Sequence, residues 1–340
     1  MIIHHDYSLL GHNTFGIEAR CRRFIEYASL SELDEALKLL RKEGETQFLH
    51  IGGGSNLLFT KDFDGTILHS AITGRETVAD DGEHVELRVG AGENWDRLVE
   101  HCTAEGLHGL ENLSLIPGEA GASAVQNIGA YGTEAGDFIV RVETVETATG
   151  RRRTFTNREC EYAYRHSIFK GKLAGHYIIT HVTFGLHRTF APDLGYAALR
   201  RELEARGISL ASVTPTLLRE LIVSIRQSKL PDPAVTGSAG SFFMNPVIPE
   251  ERFRALQAQY PDLPHYPAAG GVKIPAGWLI EQCGWKGKRA GKAGVHDRQA
   301  LVLINCGGAT GADIVQLSDT IRRDVRERFG IEIRPEVYFV

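Results

Sequence analysis

The sequence has no long basic tract, no long apolar run, no Cys-x-x-Cys spacing and no internal repeat. Each absence removes a class of function. Lys and Arg total 38 against 43 Asp and Glu, for a net charge of −5. Without clustered cations the chain is not a dedicated nucleic-acid binder, whose affinity would rest on them. A basic pocket for a phosphorylated small molecule remains open. No apolar stretch approaches membrane-spanning length. The opening Met1-Ile2-Ile3-His4-His5-Asp6 lacks the basic and apolar regions of a signal peptide, so a cytoplasmic location is expected. Cys21, Cys102, Cys160, Cys283 and Cys306 are odd in number and scattered. That predicts reduced, mostly buried thiols and neither a disulfide framework nor a zinc or other metal site. Gly-x-Gly-x-x-Gly and Gly-Lys-Ser/Thr are also missing, so a Rossmann or P-loop assignment has no support.

What remains is an ordinary globular composition: 340 residues, 42% apolar and 24% charged, enough for two or three domains. Leu9 to Ile25 reads as strand-like, with a turn at Gly11-His12-Asn13. Leu30 to Lys42 reads as an amphipathic helix with Leu33, Ala36, Leu37 and Leu40 on one face, and Ser29 with Glu32 as a capping box. Phe48 to Ile51 is a short strand running into glycines, the possible start of a βαβ element. Gly65 to Leu68 and Val85 to Val89 are strands. Trp95 to Glu105 is a helix, Ile139 to Phe155 a hairpin turning at Thr149-Gly150, and Tyr177 to Leu186 a strand. Helices follow at Tyr196 to Arg206 and at Pro215 to Arg226, the latter capped by Thr214. The character changes at Lys229-Leu230-Pro231-Asp232-Pro233, a plausible domain boundary. Beyond it come a helix at Pro249 to Tyr260, another from Trp278, a strand at Ala300 to Asn305, a long helix at Ala312 to Phe329 and a closing strand at Ile331 to Val340. The fold class is α+β with three lobes.

Five stretches can carry chemistry. Ile51-Gly52-Gly53-Gly54-Ser55-Asn56 frees successive backbone N–H groups to face an anion such as a pyrophosphate, or is a plain strand-to-loop turn. Ile116-Pro117-Gly118-Glu119-Ala120-Gly121-Ala122-Ser123, followed by Gln126-Asn127-Ile128-Gly129-Ala130-Tyr131-Gly132, is a second small-residue run with polar punctuation. Two such runs suit a large dinucleotide gripped from two sides. Tyr164-Arg165-His166-Ser167 offers a planar cation for a carboxylate, or a surface Arg. Gly237-Ser238-Ala239-Gly240-Ser241-Phe242-Phe243-Met244-Asn245-Pro246 sets one hydroxyl between glycines and an aromatic pair. Taken alone, Ser241 is most often a turn residue. Glu336, in Arg334-Pro335-Glu336-Val337, sits in an apolar strand where an unpaired carboxylate needs a partner or a raised pKa.

These five motifs, in this order, resemble the UDP-N-acetylenolpyruvoylglucosamine reductase (MurB) family, and the loop around Tyr196 resembles its type I branch. The resemblance runs from Asn13-Thr14-Phe15-Gly16 to Glu336. It implies a three-lobed flavoprotein like the vanillyl-alcohol-oxidase (PCMH-type) FAD-binding fold with a C-terminal substrate-binding lobe. The expected division is residues 1–72 with 325–340 as the N-terminal FAD-binding lobe, 73–226 as the central one and 227–324 as the substrate lobe. FAD contacts would come from Gly52, Gly53, Gly54, Ser55 and Asn56, and from Pro117, Gly118, Ser123, Asn127, Gly129, Ala130, Tyr131 and Gly132. No His stands in the first loop, so non-covalent FAD is expected.

The implied activity is NADPH-dependent reduction of UDP-N-acetylglucosamine enolpyruvate to UDP-N-acetylmuramate in peptidoglycan precursor synthesis. NADPH reduces FAD and leaves, hydride then reaches the substrate's C3, and a proton must arrive at C2. The resemblance assigns that proton to Ser241. Arg165 fits as stabiliser of the developing enolate, a contribution of ~3–4 kcal/mol. Glu336 fits either as a protonated hydrogen-bond donor or as a carboxylate orienting Arg165. Tyr196 and Lys229 match positions that hold the substrate diphosphate, and Asn245 and Gln282 match polar pocket residues. Met244 departs from the family, where a basic residue is common. Trp285 with Lys286-Gly287-Lys288 is a basic turn that is either solvated or nucleotide-facing. The expected partners are the UDP-sugar and NADPH, with no nucleic acid, no membrane and a monomeric chain. The rival readings are an oxidase of the same fold and a nucleotide-binding protein without catalysis.

Overall fold

The computed structural model describes Met1–Val340. Its contacts divide the chain into two compact units. The first comprises Met1–Tyr7, Cys21–Gly53 and Asp64–Arg226; the second comprises Ser8–Arg20, Gly54–Phe63 and Gln227–Val340.

The first unit carries two sheets. One has the strand order Ile2–Ser8, Arg20–Tyr27, Phe63–Ser70, Phe48–Ile51. Helix Leu30–Lys42 packs Leu33, Ala36, Leu37 and Leu40 with Ile25, Tyr27 and Leu68 from this sheet. Ser29 Oγ accepts the Glu32 N–H at 3.2 Å, as a cap should, but the Glu32 carboxylate reaches back to the Ala28 N–H at 2.7 Å rather than to Ser29. The other sheet is antiparallel, ordered Arg152–Thr156, Ile139–Glu146, Tyr177–His187, His84–Gly90, Arg75–Asp80. Helix Trp95–Ala104 belongs to its core through Trp95, Leu98, Val99 and Cys102. Helices Ala197–Ala205 and Pro215–Lys229 form a small core of their own around Leu199, Leu203, Leu221 and Ile222.

The second unit holds a sheet ordered Ser238–Ser241, Val302–Asn305, Ala293–Val295, Arg289–Ala290. Helix Gly311–Phe329 shares a core with it, burying Ile314, Leu317, Ile321, Val325 and Phe329. Thr310 and Asp313 form a full capping box at its start, and Gly330 at φ 60° ends it in the left-handed conformation that glycine adopts without penalty. This helix runs unbroken across position 324, where the lobe division read from the sequence draws a line. No helix of the protein is long and apolar enough to cross a membrane.

Three local expectations change. Phe48–Ile51 pairs in parallel with Phe63–Ser70, but the connection contains only the two-residue strand Leu57–Leu58, so no helical crossover makes a βαβ unit. The opening strand is Ile2–Ser8, with a 3-10 turn at Leu10–His12 before Arg20–Tyr27. The closing strand shrinks to Tyr338–Phe339, paired in parallel with Leu57–Leu58. Pro335 has no N–H to donate, and the segment changes partners there. Met244 N–H donates to Arg334 C=O on one side, and Tyr338 N–H to Asn56 C=O on the other.

Gly237 shows how tightly the second unit is laid down. A Cβ there would stand 2.0 Å from the Phe15 carbonyl oxygen. That contact is main chain and cannot swing away. Gly237→Ala is expected to lose about 3 kcal/mol in urea unfolding; an unchanged midpoint would contradict the close approach.

Candidate active site

In the first unit, buried Ile51 ends a strand and the chain turns through Gly52 and Gly53. A Cβ on Gly52 would lie 3.0 Å from Glu119 Oε2 and 3.3 Å from Ala122 Cβ; one on Gly53 would lie 3.6 Å from Glu119 Oε1 and 3.7 Å from Gly118 Cα. The two glycine-rich runs, far apart in sequence, therefore touch. Helix Ala120–Gln126 follows the second run. Gly121 is needed there because its Cβ would fall 2.8 Å from Ala91 Cβ. Ser123 is 1% exposed and donates to Ala120 C=O at 2.6 Å. Asn127 ends the helix at φ 48°; its Nδ2 donates to Glu134 Oε2 at 2.7 Å and Ala163 C=O at 2.9 Å, and its Oδ1 accepts the Gly136 N–H at 2.8 Å. These two side chains hold the loop. Pro117 lies exposed ahead of it.

The remainder of the first motif falls in the second unit. Gly54 has φ 65°, and its Cβ would meet the His12 carbonyl at 1.9 Å. Ser55 is half-buried, and Asn56 Nδ2 donates to Glu336 C=O at 3.2 Å.

Arg165 sits in a tight turn closed by the Ala163–His166 bridge, at φ 54°. Buried Ser167 pins that turn by donating to Val125 C=O at 2.6 Å. The Arg165 Nη2 donates to Gly129 C=O at 2.6 Å, and a Cβ on Gly129 would lie 2.9 Å from its Nη1. The second glycine run thus both receives and makes room for this guanidinium. Gly129 and Ala130 pair with Thr133 and Glu134, and Tyr131 at φ 51° and Gly132 at φ 87° form the bend between them. Tyr131 packs edge-on against half-exposed Tyr196 with ring centroids 5.4 Å apart.

A residue that the sequence reading passed over belongs here. Arg226 shares a side-chain hydrogen bond with Tyr131, while its buried Nε has no partner. Burial pushes its guanidinium below the ordinary range, opposed by Tyr131 and Asp96. The carboxylate of Asp96 is already gripped by both Arg219 nitrogens at 2.7 and 3.0 Å and by the Leu115 N–H. No sequence motif marks Arg226; its signal is an orphaned cationic donor beside Tyr131.

In the second unit Ser241 is exposed at the end of its strand, opposite Val302. Phe242 and Phe243 behind it are buried, with ring centroids 5.0 Å apart. Phe242 N–H donates to Leu301 C=O at 2.7 Å, and Phe242 C=O accepts the Glu336 N–H at 2.8 Å. Main-chain pairing therefore brings Glu336, which is half-buried, alongside the serine strand. Asn245 Oδ1 accepts the Ala276 N–H at 2.9 Å and so holds the start of helix Ala276–Gln282. Gln282 ends that helix, and its C=O accepts from Arg328. Lys229 is exposed at the last position of its helix. Trp285 Nε1 donates to Asp324 at 2.9 Å, and the Lys288 ammonium stands 5.3 Å over the Trp285 ring.

Residues 22–156 match the family profile "FAD binding domain", and residues 232–340 match "UDP-N-acetylenolpyruvoylglucosamine reductase, C-terminal domain". A protein of Bacteroides fragilis named UDP-N-acetylenolpyruvoylglucosamine reductase is 54% identical over 98% of this chain and 99% of its own. The chain belongs to the UDP-N-acetylenolpyruvoylglucosamine reductase family. A second member of the reductase family, from Burkholderia multivorans, is 48% identical over 97% of this chain and 95% of its own. The crystal structure of the reductase (MurB) from Thermus caldophilus has the same fold, with a TM-score of 0.67 at 21% identity, covering 99% of this chain and 98% of that one. The FAD-binding assignment fits the residues present. A dinucleotide diphosphate requires main-chain N–H groups with no side chain in front of them. Gly52 is such a place: a Cβ on it would crowd Ala122 Cβ at 3.3 Å and Glu119 Oε2 at 3.0 Å.

The Asp96 ion pair makes the cationic side of the first unit testable. Burial opposes its ionisation, but the Arg219 fork and the Leu115 N–H hold its carboxyl below the ordinary 3.8. A depressed folded pKa adds stability above the unfolded value and loses it as pH falls through the folded one. Asp96→Asn should cost about 2 kcal/mol at pH 7 in urea unfolding, with the difference from the native protein shrinking below pH ~4. A pH-independent difference would show that the charge is not what matters.

Proposed function

We propose that this protein is an FAD-dependent UDP-N-acetylenolpyruvoylglucosamine reductase of peptidoglycan precursor synthesis. What carries the reading is the full-length relationship to the Bacteroides fragilis reductase, 54% identical over 98% of the chain. NADPH is the proposed electron source and the cytoplasm the proposed compartment. In this reading residues 1–72 with 325–340, and residues 73–226, supply the cofactor-holding lobes, and 227–324 the substrate lobe.

FAD, held by the main chain of Gly52, Gly53 and the Pro117–Gly132 run, would supply the hydride for C3 of the enolpyruvyl group. The protein must then manage negative charge that grows at C2 and spreads into the substrate carboxylate. From the first unit, Arg165 provides a guanidinium whose position is set by Gly129 C=O, so little reorganisation is needed when charge develops. Arg226, with its unpartnered Nε, adds a second cationic donor. Tyr131 is hydrogen-bonded to it and packs edge-on against Tyr196. From the second unit, Ser241 Oγ–H gives its proton to C2. Its strand is anchored by the buried Phe242 and Phe243, which lets a poor acid act by placement rather than by acidity. Glu336 is carried beside that strand by its N–H bond to Phe242 C=O and is assigned to the substrate carboxylate end. Lys229, Asn245 and Gln282 are assigned to the nucleotide half of the substrate.

Two half-reactions separate these roles. Purified protein should be yellow, and NADPH should bleach it. In Ser241→Ala, bleaching by NADPH should proceed at the native rate while recovery of colour with UDP-N-acetylglucosamine enolpyruvate slows by about 10³-fold. Equal loss of both half-reactions would make Ser241 structural. NADPH consumption that ignores the substrate and follows O₂ would instead favour an oxidase.

A further inference from the structure

Behind the Gly52–Gly53 turn lies a group of ionisable side chains that the reaction does not use. His69 Nδ1 stands 3.0 Å from Glu26 Oε2, and His69 Nε2 stands 3.0 Å from Glu119 Oε1. Both ring nitrogens face acceptors, so both must donate, and only the imidazolium does that. The His69 and Glu119 side chains are each 14% exposed. The other side of the Glu119 carboxylate is the glycine turn itself, at 3.0 Å from the Cβ position of Gly52 and 3.6 Å from that of Gly53. One imidazolium thus connects strand Arg20–Tyr27, strand Phe63–Ser70 and the Pro117–Glu119 run to the turn assigned to the FAD diphosphate.

We propose that His69 and Glu119, braced by Glu26, are positioning residues for FAD: the bridge clamps the two glycine-rich loops together and neutralises a carboxylate that would otherwise repel the diphosphate. This rests on the flavoenzyme reading above. The charge count gives the direction. With His69 protonated, one cation lies between two carboxylates. When it loses its proton, Glu26 and Glu119 compete for a single N–H, and one carboxylate is left unneutralised at the back of an anion-binding loop.

The other groups facing His69 do not take over the role. Phe24 stacks on its ring at 6.0 Å between centroids. His50 is pushed down to about 3 by burial and by the charge of His69, so it stays neutral, and it is bonded to Tyr27 OH at 2.8 Å. Burial pushes the Tyr27 phenol above its ordinary range, so it stays neutral too. For His69 itself burial opposes the charge, but Glu119 and Glu26 outweigh it and raise the imidazole above its ordinary 6.5. FAD affinity is therefore high below that titration and falls as pH rises through it.

The test is titration of the deflavinated full-length protein with FAD, followed by quenching of flavin fluorescence from pH 6 to pH 9. In the native protein Kd should rise with pH by about tenfold, the factor for a His69 pKa one unit higher in the complex. His69→Gln should bind about tenfold more weakly at pH 6 and show no pH dependence in this range. Glu119→Gln, which removes the carboxylate to be neutralised, should also flatten the profile while binding at pH 9 at least as tightly as the native protein. A native-like profile in His69→Gln, or Glu119→Gln binding as weakly as His69→Gln, overturns the proposal while leaving the FAD assignment standing. No FAD uptake by the native protein at any pH overturns the assignment itself. Circular dichroism melts identify a variant that fails to fold; should His69→Gln do so, the Glu119→Gln profile decides alone.

Discussion

The main chain of Phe242 is the hinge on which the chemistry of the second unit depends. Its N–H is committed to Leu301 and its C=O to Glu336, at 2.7 and 2.8 Å. Its ring is fully buried against Phe15 and Phe243. Burying such a ring is worth about 2–3 kcal/mol, and leaving either backbone group unpaired in that setting would forfeit a similar amount. The result is a strand end that cannot drift. Ser241 sits at an exposed position one residue before this anchor, and Glu336 is drawn up from the far end of the chain. A hydroxyl with no base beside it has little intrinsic acidity, so fixed placement is what this arrangement can contribute.

The first unit solves a different problem, which is how to hold cations for an anionic ligand. Arg165 is oriented by the Gly129 carbonyl, which accepts from its Nη2 at 2.6 Å. Arg226 is desolvated with its Nε unpartnered, next to Tyr131. The nearby carboxylate of Asp96 is held by Arg219. At the Gly52–Gly53 turn His69 stands between Glu26 and Glu119, and negative charge is what needs control.

Much of the local structure was legible in the sequence, because period and caps are local properties. Leu33, Ala36, Leu37 and Leu40 mark one face of a helix, Thr214 and Pro215 mark a helix start, and Thr149-Gly150 marks a hairpin turn; each appears where the pattern places it. The readings that changed involve partners distant in sequence. Ile331 to Val340 has the composition of one strand, yet Pro335 divides it between two different neighbours. Asn127 and Ser123 are bonded by their side chains to Ala163, Gly136 and Ala120, partners that no local pattern announces. Arg226 lies in an amphipathic helix with nothing in its flanks to distinguish it from a surface Arg. Only its burial and its missing partner do so.

By itself the sequence determined which residues exist to do chemistry and, through five ordered motifs, which family they belong to. Motif order survives as a one-dimensional signal because each motif keeps its own turn or strand. Tertiary structure decided which atoms of those residues remain available. It assigned Gly54 to a close pass of the His12 main chain and Gly52 to one against Glu119, although the two glycines stand in one motif. The reason is that a glycine is required wherever two chain segments come within a Cβ of each other, and the sequence records the requirement without recording the second segment.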